Sequence, residues 1–356
     1  MSLYVDKYRP KSLDELDYHH DITNRIRSLA RSGDFPHLLF YGPSGAGRKT
    51  RIMCTLRELF GQGVEKLEQL KIDQRVFLTP SNRKLDVNIV QSNYHIEITP
   101  SDVGQYDRII IQDILKEIAQ TQQIDANAKH KFKVVIINEA DQLSRDAQAA
   151  LRRTMEKYMA NLRIILCAQT TSKIISPIRS RCLLMRIPAP QPEQMTIVLN
   201  HVAKKERFQI PDDVAQQIGK EATGNLRKAL LVLEAMRMQS PNFDMDIQIA
   251  KPDWQSYTIS VAKDITSDPS PEGLLKVRGK VYELITHCIP PTLILKTLLE
   301  VILNMVDDSI RADLIYWAAF YEHRMRQGSK QIFHLEAFIA KTMSIHKGFI
   351  CGFEDF

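Results

Sequence analysis

The chain has 356 residues, 44% of them apolar and 25% charged, with a net charge of +6. That length favours two or three soluble globular domains, and the mildly basic balance suits a polyanionic partner and an ordinary soluble protein equally. Five scattered cysteines with no C-x-x-C pair exclude a disulfide framework or zinc site and point to a reducing compartment, and no apolar run nears the roughly 18 residues of a membrane span. Residues 1–10 lack the apolar core of a signal peptide, so no leader is expected.

Residues 1–36 are polar, with Ile22, Ile26 and Leu29 at helical spacing, and end in the turn Gly33-Asp34-Phe35-Pro36. The apolar run His37-Leu38-Leu39-Phe40 reads as a buried strand, and Ile52, Leu56, Leu59 and Phe60 lie on one face of the helix that follows. Residues 62–92 are charged and mixed, with a turn at Thr79-Pro80-Ser81-Asn82. Tyr94 to Ile98 alternates polar and apolar residues as a strand does. Thr99-Pro100-Ser101-Asp102 offers caps for a helix carrying Tyr106, Ile110, Ile114 and Ile118 on one stripe. Val134 to Ile137, four β-branched residues, reads as a central parallel strand. Ser144 opens a helix through Met159, and Arg163 to Ala168 is a third buried strand. Alternating strands and helices imply an α/β sheet with helices on both faces.

Three prolines within 188–192 end the sheet region and read as a linker. Helical patterns follow to about residue 240, and a second break lies at 240–244. Beyond residue 252 only amphipathic helices are expected. Their stripes are Leu295, Leu298, Leu299 and Ile302; Ile310, Leu314, Trp317 and Tyr321; and Leu335, Phe338, Ile339 and Thr342. No repeat period is visible.

Between the first strand and its helix lies Tyr41-Gly42-Pro43-Ser44-Gly45-Ala46-Gly47-Arg48-Lys49-Thr50. Strand, glycine-rich turn and helix is the arrangement of a phosphate-binding loop, whose backbone N–H groups and helix N-terminus attract an anion. The motif asks for lysine and then a hydroxyl; the chain offers Arg48 and then Lys49. Arg48 keeps a charge able to hold phosphate. Lys49 removes the hydroxyl that ligates Mg²⁺ and substitutes an ammonium. A rival register makes Lys49 and Thr50 the working pair. At the end of the central strand, Asn138 stands where an acidic metal partner is expected, followed by Glu139, either a water activator or a solvated turn residue. Arg181, in Ser180-Arg181-Cys182, is either a surface charge or an arginine finger for a neighbour's nucleotide. Arg227, in Asn225-Leu226-Arg227-Lys228, either folds over the nucleotide or lies on a helix surface.

These motifs, with Val5-Asp6-Lys7-Tyr8-Arg9-Pro10, Asn138-Glu139-Ala140-Asp141 and Ala150 to Tyr158, resemble the small subunits of replication factor C, the eukaryotic clamp loader of the AAA+ superfamily. Tyr282 to Pro291 and Tyr321-Glu322-His323-Arg324 are similar to the collar of its subunit 3 branch, so the resemblance spans the whole chain. It implies an AAA+ parallel-sheet domain over 1–187, a helical lid over 188–242 and an all-helical oligomerisation collar over 252–356. It implies a nuclear hetero-pentamer with other replication factor C subunits, loading the PCNA sliding clamp onto primer–template DNA with ATP or ADP. By position, Val5, Tyr8, Arg9 and Pro10 would line the base and ribose. Gly42, Pro43, Ser44, Gly45, Ala46, Gly47, Arg48, Lys49 and Thr50 would cradle phosphates. Arg227 would be the second sensor, and Arg181 the finger acting on the adjacent subunit. Gln169 replaces the first-sensor asparagine and Asn138 the acidic residue of the strand end. With Arg48 and Lys49, they imply a pocket that holds nucleotide without Mg²⁺-dependent turnover. An active ATPase using Lys49, Thr50 and Glu139, or a nucleotide-free scaffold, are the alternatives. Arg83, Lys84, Arg108, Arg145 and Lys173 are the family-position candidates for DNA, and the helix region 105–121 for the clamp.

Overall fold

A computed structural model of the chain describes residues 2–32, 35–61, 71–78, 84–120, 132–159, 161–239, 252–328 and 330–354. They fall into two compact units, Met1–Ile249 and Ala250–Phe356. In the first, the strands are β1 (Leu38–Tyr41), β2 (Lys71–Leu78), β3 (Lys84–Gln91), β4 (His95–Ile98), β5 (Lys133–Ile137), β6 (Leu162–Ala168) and β7 (Leu183–Arg186). They form one sheet in the order β2-β3-β4-β5-β6-β1-β7. The five strands from β4 to β7 are parallel, while β2 and β3 add an antiparallel hairpin at one edge.

After α1 (Tyr4–Lys7), the helices beside the sheet are α2 (His20–Arg31), α3 (Arg48–Phe60), α4 (Asp107–Gln120), α5 (Arg145–Lys157) and α6 (Ser176–Arg179). Alternation along the strands supplies two cores. Val134, Ile136, Leu38 and Phe40 pack with Ile26, Ile52, Leu56 and Leu59 of α2 and α3. Val135, Ile137, Leu39 and Leu166 pack with Ile110, Ile114, Leu151 and Met155 of α4 and α5. The β-branched run of β5 suits this, since both faces of a central parallel strand are buried. The expectation of a parallel sheet with helices on both faces holds.

Two local expectations need correction. The charged stretch within 62–92 contains the β2–β3 hairpin. Its edge position explains the disguise: Asp86 and Asn88 face solvent while Val87 and Ile89 reach the core. The helix expected after Thr99 starts later. Pro100–Tyr106 forms 3₁₀ turns interrupted at Gly104 (φ +61°), so Tyr106 precedes α4 instead of joining its stripe. The turns at Gly33-Asp34 and 79–82 and the break at 240–244 lie outside the described residues.

Three helices complete the first unit, α7 (Pro192–Lys205), α8 (Asp212–Glu221) and α9 (Leu226–Gln239), packed around Met195, Leu199, Ile218 and Leu233. Tyr4, Val5 and Tyr8 pack against this core. The second unit is five helices, α10 (Asp253–Ser267), α11 (Pro271–Thr286), α12 (Pro291–Leu303), α13 (Asp308–Gln327) and α14 (Gln331–Glu354). Leu298, Ile302, Leu314, Leu335, Phe338 and Ile339 form its core, drawn from the stripes read in the sequence. No described helix is long and apolar enough to cross a membrane.

Candidate nucleotide site

The carboxyl ends of β1, β4, β5 and β6 come level, because Ile98 pairs with Ile137, Ile137 with Leu166, and Tyr41 with Ala168. The glycine loop, Thr99, Asn138 and Gln169 follow these ends, the edge where open α/β sheets bind ligands. A cavity of about 540 Å³ lies there.

The loop is held from both sides. Leu226 at the start of α9 donates its N–H to Gly45 O at 3.2 Å, and Tyr18 Oη donates to Ala46 O at 3.1 Å. Gly45 (φ +76°) and Gly47 (φ +82°) adopt left-handed backbone, and a Cβ would come 1.9 Å from Asn225 Oδ1 at the first and 2.3 Å from Tyr18 Oη at the second. Gly47 caps α3, so the helix opens on Arg48, Lys49 and Thr50 with its N–H groups turned to the cavity mouth. Arg48 lines the cavity and has no carboxylate partner among the described residues. Thr50 Oγ1 accepts from Arg9 Nε at 3.3 Å.

Lys49 does not stand free. Its Nζ makes an ion pair with Glu97 Oε1 on β4. Asn138 Nδ2 donates to the same oxygen at 2.6 Å and lies 3.4 Å from Thr99 Oγ1. Glu97 is only 8% exposed. The polar face of β4 is therefore interior, and the alternation there marks a buried polar cluster. Sequence reasoning missed Glu97. Its only signal was a carboxylate in a short strand, readable once β4 pairs with β5.

Glu139, in left-handed backbone (φ 50°), is exposed, and Ser101 Oγ donates to its Oε2 at 3.2 Å. Gln169 lines the cavity, and its N–H donates to buried Asp141 at 3.2 Å. Val5, Tyr8, Arg9, Pro10 and Arg227 line the same cavity, as do Ser44, Gly45, Gly47 and Thr50. Gly42, Pro43 and Ala46 do not line it: a Cβ on Gly42 would come 1.9 Å from Ile187 O, and Ala46 is fully buried. Tyr8 Oη donates to Glu206 at 2.5 Å and Lys7 Nζ donates to it at 2.6 Å. The Lys7 and Tyr8 hydrogen bonds hold the Glu206 carboxyl below its ordinary range. His201 meets Asp17 at 3.1 Å on the same wall.

Beneath the loop, Arg51 is fully buried with no carboxylate beside it among the described residues. Its guanidinium donates to Tyr18 O at 2.8 Å, contacts Thr23, and packs on the Tyr18 ring. Among the described residues Nε has no hydrogen-bond partner. Burial lowers the pKa of Arg51, the cost of a cation in a low-dielectric site.

Arg181 lies away from this cavity. It is exposed and bound to Glu156 of α5 at 2.5 Å and to Pro177 O at 2.8 Å. Among the proposed DNA contacts, Arg108 and Arg145 are exposed in the first turns of α4 and α5. Those turns are tied together where Ser144 donates its N–H and Oγ to Asp107, at 2.7 and 2.9 Å. Lys173 joins them, since buried Gln148 of α5 donates to Lys173 O at 3.1 Å. Lys84 begins β3, on the hairpin, and Arg83 lies outside the described residues.

Residues 254–350 match the family model described as replication factor C subunit 3, C-terminal domain. Residues 197–238 match the RCF1/5-like AAA+ ATPase lid domain, and 18–191 the DNA polymerase III delta subunit. Replication factor C subunit 5 of Neurospora crassa is 57% identical over 99% of this chain and 100% of its own. Human replication factor C subunit 3 is 52% identical over 98% of both chains. Among solved structures, a variant of Thermotoga maritima RuvB superposes with a TM-score of 0.50 at 16% identity, covering 77% of this chain and 85% of that one. That likeness extends to the fold.

Proposed function

The chain belongs to the replication factor C small-subunit family, whose relatives here are called subunit 3 or subunit 5, and on that premise we propose that it holds nucleotide without turning it over and lends Arg181 to a neighbour. Family membership brings the clamp-loading role, and with it other replication factor C subunits, the PCNA clamp, primer–template DNA and a nuclear setting. On this reading the chain divides into a sheet domain, a lid and a collar.

The observation that carries it is the Lys49–Glu97–Asn138 cluster. A nucleotide fits what the chain offers: a glycine cradle, a helix N-terminus, the Arg48 cation and a cavity of about 540 Å³ walled by Tyr8, Val5 and Arg227. A resident Mg²⁺ does not fit. It wants oxygen ligands beside the phosphates, and positions 49 and 138 direct an ammonium and an amide N–H to Glu97 instead. Without a metal the water-activating role of Glu139 is empty, and Ser101 holds its carboxylate. Against the Lys49–Thr50 pairing, the Lys49 ammonium is drawn to Glu97 on β4.

Arg181 sits outside its own cavity at an exposed corner beside α6, which suits service to another chain. An arginine so supplied stabilises charge in the phosphoryl-transfer transition state. In the reconstituted pentamer with clamp and primed DNA, Arg181→Ala is expected to lower ATPase by at least about tenfold at the one site it serves. Arg48→Ala leaves turnover within about twofold. Equal losses from both would sink the assignment. Exposed Arg108 and Arg145, at two adjoining helix N-termini, with exposed Lys173 on the turn that Gln148 of α5 holds, support a contact with phosphate backbone.

A further inference from the structure

We infer that the first turn of α3 carries the positive charge a divalent ion supplies in metal-dependent phosphate loops, so that nucleotide binding here is independent of metal. The inference rests on the nucleotide assignment above and deepens it.

Three cations arise within four residues, Arg48, Lys49 and Arg51, and each has a different surrounding. Arg48 faces the cavity without a carboxylate among the described residues. Arg51 is fully buried behind the loop, where its backbone N–H also bonds Gly47 O at 3.0 Å. A buried cation with no counter-anion is costly unless something else supplies negative charge, and in low dielectric its field reaches farther than in water. A polyphosphate seated on Gly45 to Lys49 supplies that charge from the other side of the loop. Lys49 stands at the position whose hydroxyl ligates metal in the motif. It is neutralised from behind by Glu97, leaving its remaining N–H donors for an anion in front. Asn138 keeps the same Glu97 oxygen engaged without adding charge. Where the motif has a hydroxyl and a carboxylate, this chain has a cation and an amide, and the carboxylate they share lies on β4. With the charges of Arg48 and Arg51 beside it, such a cluster binds phosphate oxygens and repels a divalent cation.

The test is the affinity of the full chain for fluorescent ADP and ATP analogues, in excess MgCl₂ and in excess EDTA. The expected dissociation constants agree within about threefold, less than one hydrogen bond is worth. A larger loss in EDTA overturns the inference while leaving the nucleotide assignment intact. No binding in either buffer overturns both. A second arm asks whether Lys49 is the agent. Lys49→Met leaves Glu97 uncompensated beside the phosphates and is expected to weaken binding about tenfold or more, with recovery in the Lys49→Met/Glu97→Gln double variant. Lys49→Met binding as tightly as the parent overturns the role of Lys49. Thermal unfolding without nucleotide checks that each variant is folded, and the Mg²⁺/EDTA comparison on the parent stands whatever the variants do.

Discussion

Two buried histidines register pH on opposite faces of the same sheet. His37 accepts the Ile164 N–H through Nδ1 at 3.0 Å, and His95 meets Ser92 Oγ at 2.7 Å. Burial holds both rings neutral down to about 4, with Arg163 adding to the effect at His37. Their folded values lie below that of the unfolded chain, so the unfolded state takes up protons first as pH falls. Stability is then lost from about pH 6.5 down to about 4, and the loss levels off below. At pH 5 each ring accounts for on the order of 1–2 kcal/mol. Replacing both with Asn, whose side-chain oxygen can take over the Nδ1 contact, is expected to flatten the fall of the urea midpoint between pH 7 and pH 5. An unchanged slope refutes the assignment. Neither role was legible in the sequence. A histidine next to an apolar run announces burial weakly and its hydrogen-bond partner not at all, because Ile164 lies 127 positions away.

Among the elements, α4 and α5 depend on one junction. Ser144 accepts the Ala147 N–H at 3.1 Å as the N-cap of α5, and its own N–H and hydroxyl reach Asp107 at the start of α4. Ser144→Ala removes the cap and one of the three hydrogen bonds that the buried Asp107 carboxylate accepts, the others coming from the N–H groups of Ser144 and Arg108. The expected cost is about 1–2 kcal/mol in chemical denaturation. Ser144→Asn, another good cap, is expected to recover less than half, since it also loses the hydroxyl contact with Asp107. Ser144 was readable as a helix start because capping is a local preference. The bond to Asp107 was not, being set by how α4 and α5 pack. The late start of α4 has a similar origin: Pro100 and Gly104 favour turns, and the caps at 99–102 open only 3₁₀ turns.

At the scale of the molecule, the two compact units carry separate cores. The five helices from α10 to α14 bury Leu298, Ile302, Leu314, Leu335, Phe338 and Ile339 among themselves. A fragment covering 252–356 is therefore expected to fold alone, with helical circular dichroism and one cooperative thermal transition. A broad, non-cooperative melt counts against it. The first unit is tied end to end instead. Tyr4 N–H bonds Glu234 of α9 at 3.0 Å, and Leu226 N–H bonds the glycine loop, so α1, the loop and α9 close over one cavity.

The glycine loop, β1, β5, β6 and α3, the amphipathic helices beyond residue 252 and the replacement of the motif's lysine, hydroxyl and acid at 48, 49 and 138 were all legible in the sequence, whereas the β2–β3 hairpin and the late start of α4 were not. The legible features are matters of local period and residue type, which short-range sterics and burial enforce. Only the tertiary structure decided what the replacements do. Lys49 and Asn138 meet at Glu97, 48 and 41 residues away, because β4 pairs in parallel with β5 and α3 starts beside that edge. A carboxylate's chemistry depends on the charge facing it across the fold, and no window of sequence contains that neighbour.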